Sequence, residues 1–415
     1  MAHAAELVTT AGKSTRPASG CKQGDILVIP DGAVAIERGT IVQIGRSGEI
    51  LSRYRSKHVI EAARKTALPG LVDPHTHLVF AGSRDREFEM KLAGKSYMEI
   101  LAAGGGILNT VAETRKTGKH QLFETCQERA RSLLLHGTTT MEVKSGYGLS
   151  TKEEIRCLQV ARSLEKSGPF HVVPTFLGAH AVPQEYEGRT DEYVDLVIED
   201  MIPNVARRKL ARFCDVFCER GVFTVEQTRR ILEAAKQTGL GAKIHADEFA
   251  DTGGALLAAK INAISADHLL YSSDEGIREM AGKGIVGVLL PAAPLTLMMG
   301  KYANARKMIE YGLPVALGTD LSPSCMLESQ QMSIALACYC MQMTPAEAIV
   351  AATINAAHAI GEASRIGSLE PGKKADIVIV DAPNHRFLGY KFGVNLVETV
   401  IKDGKVVVED QRLIA

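Results

Sequence analysis

The stretch Ala67-Leu-Pro-Gly-Leu-Val-Asp-Pro-His-Thr-His77 decides how this chain is read. It runs apolar without alternation and then turns abruptly polar. A strand with one wet face alternates; one that is apolar on both faces is covered on both, as in a parallel sheet. Seven further runs share this character, at 138–144, 171–178, 213–219, 241–245, 263–268, 285–290 and 314–320. Between them lie amphipathic stretches with helical spacing, for example 122–136, 153–166, 225–238, 253–260 and 274–282. Eight βα units fit a TIM-like (β/α)8 barrel, whose usual span is about 200 to 400 residues. An open doubly wound sheet is the alternative arrangement, because periodicity alone does not show closure.

The flanks read differently. Ile26-Leu-Val-Ile, Ala33-Val-Ala-Ile and Thr40-Ile-Val-Gln-Ile are short β segments, with turns expected at Pro30-Asp31-Gly32 and Arg38-Gly39. Near the other end come Ala375-Asp-Ile-Val-Ile-Val, Val397-Glu-Thr-Val-Ile and Lys405-Val-Val-Val, with Asp403-Gly404 as a hairpin signal. Chain ends of a domain often lie close together. The expected organisation is therefore a small β-sandwich built from 1–66 and 365–415, around a barrel at 67–364.

Composition narrows the function classes. Of 415 residues, 46% are hydrophobic and 23% charged, the balance of a globular protein with a large core. Forty-eight basic residues face 48 acidic ones, so no net field exists to attract nucleic acid or an anionic membrane. No apolar run reaches the length of a membrane span, and the first residues lack the pattern of a signal peptide. Eight scattered cysteines suit a reducing cytoplasm. A small-molecule partner is what remains.

The informative feature is where the apolar runs become polar. The first ends Asp73-Pro-His-Thr-His77, the fifth Ile244-His-Ala-Asp-Glu248, the sixth Ser265-Ala-Asp-His268 and the eighth Leu317-Gly-Thr-Asp320. In a parallel barrel the C-terminal strand ends open onto one rim, where the active site lies. His75 and His77 share a strand face with Cα atoms roughly 6.6 Å apart, so both imidazoles can meet one metal ion. A lone His-x-His is usually a surface pair; the joint pattern with His245, His268 and Asp320 is what points to metal. Buried imidazoles and carboxylates are costly unless paired or ligated. Three nitrogens and a carboxylate suit Zn²⁺ or iron (Fe²⁺ or Fe³⁺), whereas calcium and magnesium prefer oxygen. This reading assigns His75, His77, His245 and Asp320 as ligands of one divalent ion. His268 orients an activated water, and Asp320 also accepts its proton.

Several longer motifs carry a resemblance over nearly the whole chain. They are Asp73-Pro-His-Thr-His-Leu-Val-Phe-Ala-Gly-Ser-Arg84, Ala103-Gly-Gly-Gly-Ile107, Glu142-Val-Lys-Ser-Gly-Tyr-Gly148 and Gly178-Ala-His-Ala-Val-Pro183. Cys214-Asp-Val-Phe-Cys-Glu219, His245-Ala-Asp-Glu248, Ser265-Ala-Asp-His-Leu269 and Ser368-Leu-Glu-Pro-Gly-Lys373 complete the set. With these the chain resembles the amidohydrolase superfamily, and within it the imidazolonepropionase family. The resemblance implies ring opening of the cyclic amide 4-imidazolone-5-propanoate to N-formimidoyl-L-glutamate in histidine degradation, by a metal-activated water, in a homodimer. It implies that Glu248 binds the ring and handles a proton and that Arg84 grips the propionate tail as a bidentate fork. Tyr147 then meets the propionate end, His180 the ring or carbonyl edge, and Tyr97 a further substrate-facing position.

One stretch departs from the family pattern. After the eighth run the family usually reads Asp-Phe-Asn-Pro-Gly, whereas this chain reads Asp320-Leu-Ser-Pro-Ser-Cys325. Ser322 and Ser324 bear on substrate choice, and a related small nitrogen heterocycle is the alternative substrate. A superfamily deaminase would release ammonia. A non-catalytic barrel serving as an assembly partner has no physical need for five metal-site positions. Lys144 is expected in an ion pair or a core-edge role rather than as a carboxylated bridge between two metals. Cys214 and Cys218, roughly 13 Å apart on an extended strand, are read as packed thiols.

Overall fold

The structure, a computed structural model, describes residues 1–95, 99 and 104–414. Eight parallel strands follow the eight apolar runs: β1 Leu71–Asp73, β2 Thr138–Lys144, β3 His171–Ala179, β4 Phe213–Cys218, β5 Gly241–Ala246, β6 Ser265–His268, β7 Val286–Leu289 and β8 Val315–Leu317. They pair in sequence order within one sheet. Helices at Lys119–Leu135, Thr151–Leu164, Val225–Gln237, Gly254–Ile261 and Asp274–Lys283 connect them. The Val225–Gln237 helix shows why: Thr224 and Gln227 form a reciprocal capping box, and Ile231, Leu232 and Ala235 bury one stripe. No helix among the described residues is long and apolar enough to cross a membrane.

The sheet closes between β8 and β1 without a regular ladder among the described residues. A parallel bridge joins Thr76 to Leu321. There His77 N donates to Leu321 O at 2.8 Å, and Asp320 N to His75 O at 3.1 Å. Deeper in the seam the Gln330 amide donates to Val72 O at 2.9 Å and to Leu317 O at 2.6 Å. Asp73 Oδ2 accepts from Thr319 Oγ1 at 2.6 Å and Oδ1 from Thr319 N at 3.1 Å. Closure is what brings the two histidines after β1 beside the aspartate after β8.

Both termini build a second eight-stranded sheet, in the order Arg412–Leu413, Lys405–Glu409, Val397–Lys402, Ile377–Val380, Thr66–Pro69, Ala4–Val8, Val28–Glu37, Thr40–Arg46. A bridge from Thr40 back to Lys374 folds its edge over. Side chains alternate: Ile377 and Ile379 face the sheet's own core with Leu7 and Ile41, while Val378 and Val380 join the barrel core. Two expectations are corrected, and one strand went unread. The turn at Pro30-Asp31-Gly32 is continuous strand, and Gly32 is needed because a Cβ there would lie 2.2 Å from Leu7 Cβ. The strand it packs against, Ala4–Val8, carries few β-branched residues and escapes a reading by pattern. The run at 67–77 is divided: Thr66–Pro69 belongs to the terminal sheet, and the chain enters the barrel at Gly70. Gly70 N donates to Asp376 O in one sheet, and the next residue's N to Gly137 O in the other. A Cβ at Gly70 would meet Thr139 Oγ1 at 2.3 Å.

Candidate active site

The polar strand ends meet at one mouth. His75 and His77 follow β1, Tyr147 and His180 stand beyond β2 and β3, His245 lies in β5, His268 ends β6 and Asp320 follows β8. All seven side chains are buried, Asp320 being the most accessible at 8%. The Nε2 atoms of His75 and His245 each lie 3.2 Å from Nε2 of His77. Asp320 Oδ1 is 3.5 Å from His75 Nε2 and 3.6 Å from His77 Nε2. His268 stands beside this cluster, its ring centroid 5.4 Å from that of His75 and 5.3 Å from that of His245. Its Nε2 is 3.7 Å from Glu248 Oε2.

The protons can be placed from the partners. His75 Nδ1 is 2.6 Å from Asp267 Oδ2; an ionised carboxylate only accepts, so Nδ1 carries the proton and Nε2 presents a lone pair. His245 Nδ1 lies 3.0 Å from Asp215 Oδ2, off the ideal N–H line, and its Nε2 likewise faces inward. Burial, followed by repulsion from neighbouring cations and imidazoles, holds His75 and His77 well below the usual imidazole range. They are neutral donors. Burial pushes the Asp320 carboxyl up to about 8, a cost that a cation among these atoms reverses. Ligand atoms ~2.0–2.1 Å from one ion sit ~2.9–3.4 Å from each other at octahedral to tetrahedral angles. The two nitrogen–nitrogen separations fall in that range and the Asp320 oxygen stands just outside it; His75, His77 and Asp320 form one group able to hold a metal ion, and His75, His245 and His268 another.

Beneath the histidines lies a charged layer whose pairing between strands the motifs did not give. Glu142, Lys144, Asp215, Lys243 and Asp267 all have 0% exposure. Lys144 Nζ is 2.7 Å from Asp215 Oδ2, 2.9 Å from Glu142 Oε2 and 3.6 Å from Asp267 Oδ2. Lys243 Nζ is 2.9 Å from Glu142 Oε1 and donates to Pro74 O at 3.0 Å. Lys144 is thus an ion-paired cation, as expected of it. The available signal was a charge inside each of the apolar runs of β2, β4, β5 and β6.

Above the histidines opens a cavity of about 700 Å³, with His77, Arg84, Tyr147, His180, Glu248 and Ser322 in its wall. His180 stacks on His77 at 4.9 Å. Its Nδ1 lies 3.1 Å from Gly146 O, so the proton sits there and Nε2 is the accepting nitrogen. Burial lowers His180 to about 3 and His268 well below its usual value. It also raises the Glu248 carboxyl well above the normal range, with Asp320 and Glu219 adding repulsion. Glu219 clamps this loop, since its Oε2 accepts from Phe249 N at 2.8 Å. Arg84 is engaged within the protein: Nε and Nη2 donate to Glu87 Oε2 at 2.9 and 2.6 Å. The other Glu87 oxygen accepts from Gly106 N at 2.8 Å. Ser322 and Cys325 pair through their backbones, turning Ser322 and Ser324 into the cavity. Tyr97 lies outside the described residues.

Comparison with known proteins agrees with this geometry. The Amidohydrolase family model matches residues 66–407. An imidazolonepropionase of Geobacillus kaustophilus is 55% identical over 99% of this chain and 98% of its own. One of Brevibacillus brevis is 51% identical over 99% and 98%. Among solved structures, a triazine hydrolase variant superposes with a TM-score of 0.78 at 18% identity, covering 100% of this chain and 95% of its own. A zinc-bound adenosine deaminase from Xanthomonas campestris gives 0.70 at 20% identity, covering 99% and 93%. At those identities the structures speak for the fold alone; the sequence relatives speak for more. The chain belongs to the imidazolonepropionase family of the amidohydrolases.

Proposed function

We propose that this protein hydrolyses 4-imidazolone-5-propanoate to N-formimidoyl-L-glutamate, opening the ring at its cyclic amide in histidine degradation. The observation that carries this is the full-length identity to imidazolonepropionases, matched by a cavity floored with three imidazoles and a carboxylate. His75, His77, His245 and Asp320 hold one Zn²⁺ or iron ion. Such an ion, when bound, polarises a carbonyl and lowers the pKa of a coordinated water toward ~7.

The chain's own groups do the rest. Arg84 and Tyr147 hold the propionate tail at one side of the cavity, with Tyr97 as a further contact. His180, with its proton on Nδ1, accepts at Nε2 from an N–H of the ring. Asp320 and His268 orient the attacking water and take its proton. The water oxygen bonds to C4, the N3–C4 bond breaks, and N3 receives a proton. Glu248, kept protonated by burial, binds the ring nitrogens and supplies that proton. Ser322 and Ser324 present hydroxyls where the family commonly carries an amide and a glycine.

Two wider expectations belong to the same reading. Eight free cysteines, most of them buried, favour a reducing cytoplasm. An exposed cluster of Tyr339, Tyr390, Phe392 and Val394 favours a homodimer. The deciding experiment incubates the enzyme with freshly generated substrate, following loss of its ultraviolet absorbance and appearance of formiminoglutamate. Release of ammonia instead would move the protein to the deaminases.

A further inference from the structure

We propose that Lys144 is a positioning residue for metal retention, acting as a shared cation that holds two ligand imidazoles through two carboxylates. This role rests on the ligand assignment above and extends it to a residue that itself ligates nothing. His75 and His245 come from β1's end and β5, and each leans its Nδ1 on a different aspartate, Asp267 from β6 and Asp215 from β4. Nothing in either aspartate's own strand fixes both of its oxygens. Asp267 Oδ1 is held by Ser265 Oγ at 2.6 Å, and Asp215 Oδ1 accepts from His245 N at 3.2 Å. The remaining oxygens, Oδ2 in both cases, are those that face the imidazoles, and both face Lys144 Nζ, at 3.6 and 2.7 Å. One ammonium thus spans the two supports of the metal cluster from below.

Charge arithmetic sharpens the point. The layer holds three carboxylates and two ammonium groups, all fully buried. Lys243 does not substitute for Lys144: it stands 2.9 Å from Glu142 and 4.0 Å from Asp267, and no ion pair joins it to Asp215 among the described residues. Removing Lys144 therefore leaves Asp215, the support of His245, without its only lysine partner among those residues. Groups that orient a ligating histidine typically change metal affinity about 10- to 100-fold when lost.

The test measures release of Zn²⁺ from the loaded full-length enzyme to a chromogenic chelator, alongside the unfolding midpoint of the metal-free protein. Four kinds of variant separate the possibilities. Glu142→Gln keeps the Lys144 bridge and should release zinc at the wild-type rate. Lys144→Met should release it about 10- to 100-fold faster. The double variant E142Q/K144M has the native net charge but lacks the bridge, which also protects the test should K144M alone fail to fold. Fast release from the double variant supports positioning by Lys144. Wild-type release from the double variant overturns it, because net charge alone would then explain K144M. Release rates that merely track the metal-free midpoint overturn it as well. His75→Ala and His245→Ala serve as the reference: if they retain zinc like wild type, the ligand assignment fails rather than the role of Lys144.

Discussion

Replacing Arg84 by alanine tests the tail clamp quantitatively. The guanidinium is only 13% exposed and is pinned by two hydrogen bonds from Nε and Nη2 to one oxygen of Glu87. Among the described residues Nη1 makes no hydrogen bond, so that end of the fork is available to a carboxylate. A charge-assisted hydrogen bond contributes about 1.5–3 kcal/mol, which at ~1.4 kcal/mol per decade is a 10- to 150-fold loss of affinity. Alanine also strands Glu87, a carboxylate of 5% exposure, which then repels an incoming anion. The single variant should therefore sit at the upper end of that range, and R84A/E87Q should recover part of the loss. The assay compares KM for the propionate-bearing substrate with inhibition constants of imidazole propionate and of its neutral amide. The expected signature is a large loss for the two anions and little for the amide. Equal loss for all three, or no recovery in R84A/E87Q, would refute the assignment of Arg84 to the tail.

Three further outcomes are expected. Glu248→Gln should keep KM within a few-fold while kcat falls about 100-fold, the usual contribution of a general acid; an unchanged kcat would reduce Glu248 to a hydrogen-bond partner. Gln330→Leu deprives two buried carbonyls at the barrel seam of their donor, at roughly 1–3 kcal/mol each, and should lower the thermal midpoint by roughly 2–7 °C. A shift under about 1 °C would mean that the seam is held elsewhere. Glu362, at 5% exposure, lies against Arg212 and Arg365. Burial raises its carboxyl, but the bonds from His171 and Arg212 more than offset this and bring it from 4.5 down to about 2. A depressed carboxyl stabilises above its ordinary pKa and loses that contribution as pH falls through its folded value. Thermal scans should then show E362Q less stable than wild type at pH 7, by about 1 kcal/mol given the exposed guanidiniums, with the gap closing as pH falls from 4.5 towards 2.

What could be read from the chain was whatever a single strand carries by itself. Each barrel strand is apolar on both faces, so its identity survives without knowledge of its neighbours, and His75, His77, His245, His268 and Asp320 were visible because each sits where its own strand turns polar. The charged layer was invisible for the opposite reason. Asp215 and Asp267 each look like a lone charge in an apolar run, and Lys144 shows only Glu142 beside it, so the lysine's other partners stay hidden in the sequence. Those partners stand on β4 and β6, and only closure of the sheet brings them within 4 Å of the lysine. Arg84 and Glu87 show the intermediate case: three residues apart, they were within reach of each other in the sequence, yet the pairing matters only because the start of the Asp85–Leu92 helix that carries them lines the cavity. The metal cluster follows the same logic one level up. Its donors are a local property of strand ends, but the lone pairs of His75 and His245 are aimed by Asp267 and Asp215, so the chemistry of the mouth depends on a layer of charge whose pairing no motif states.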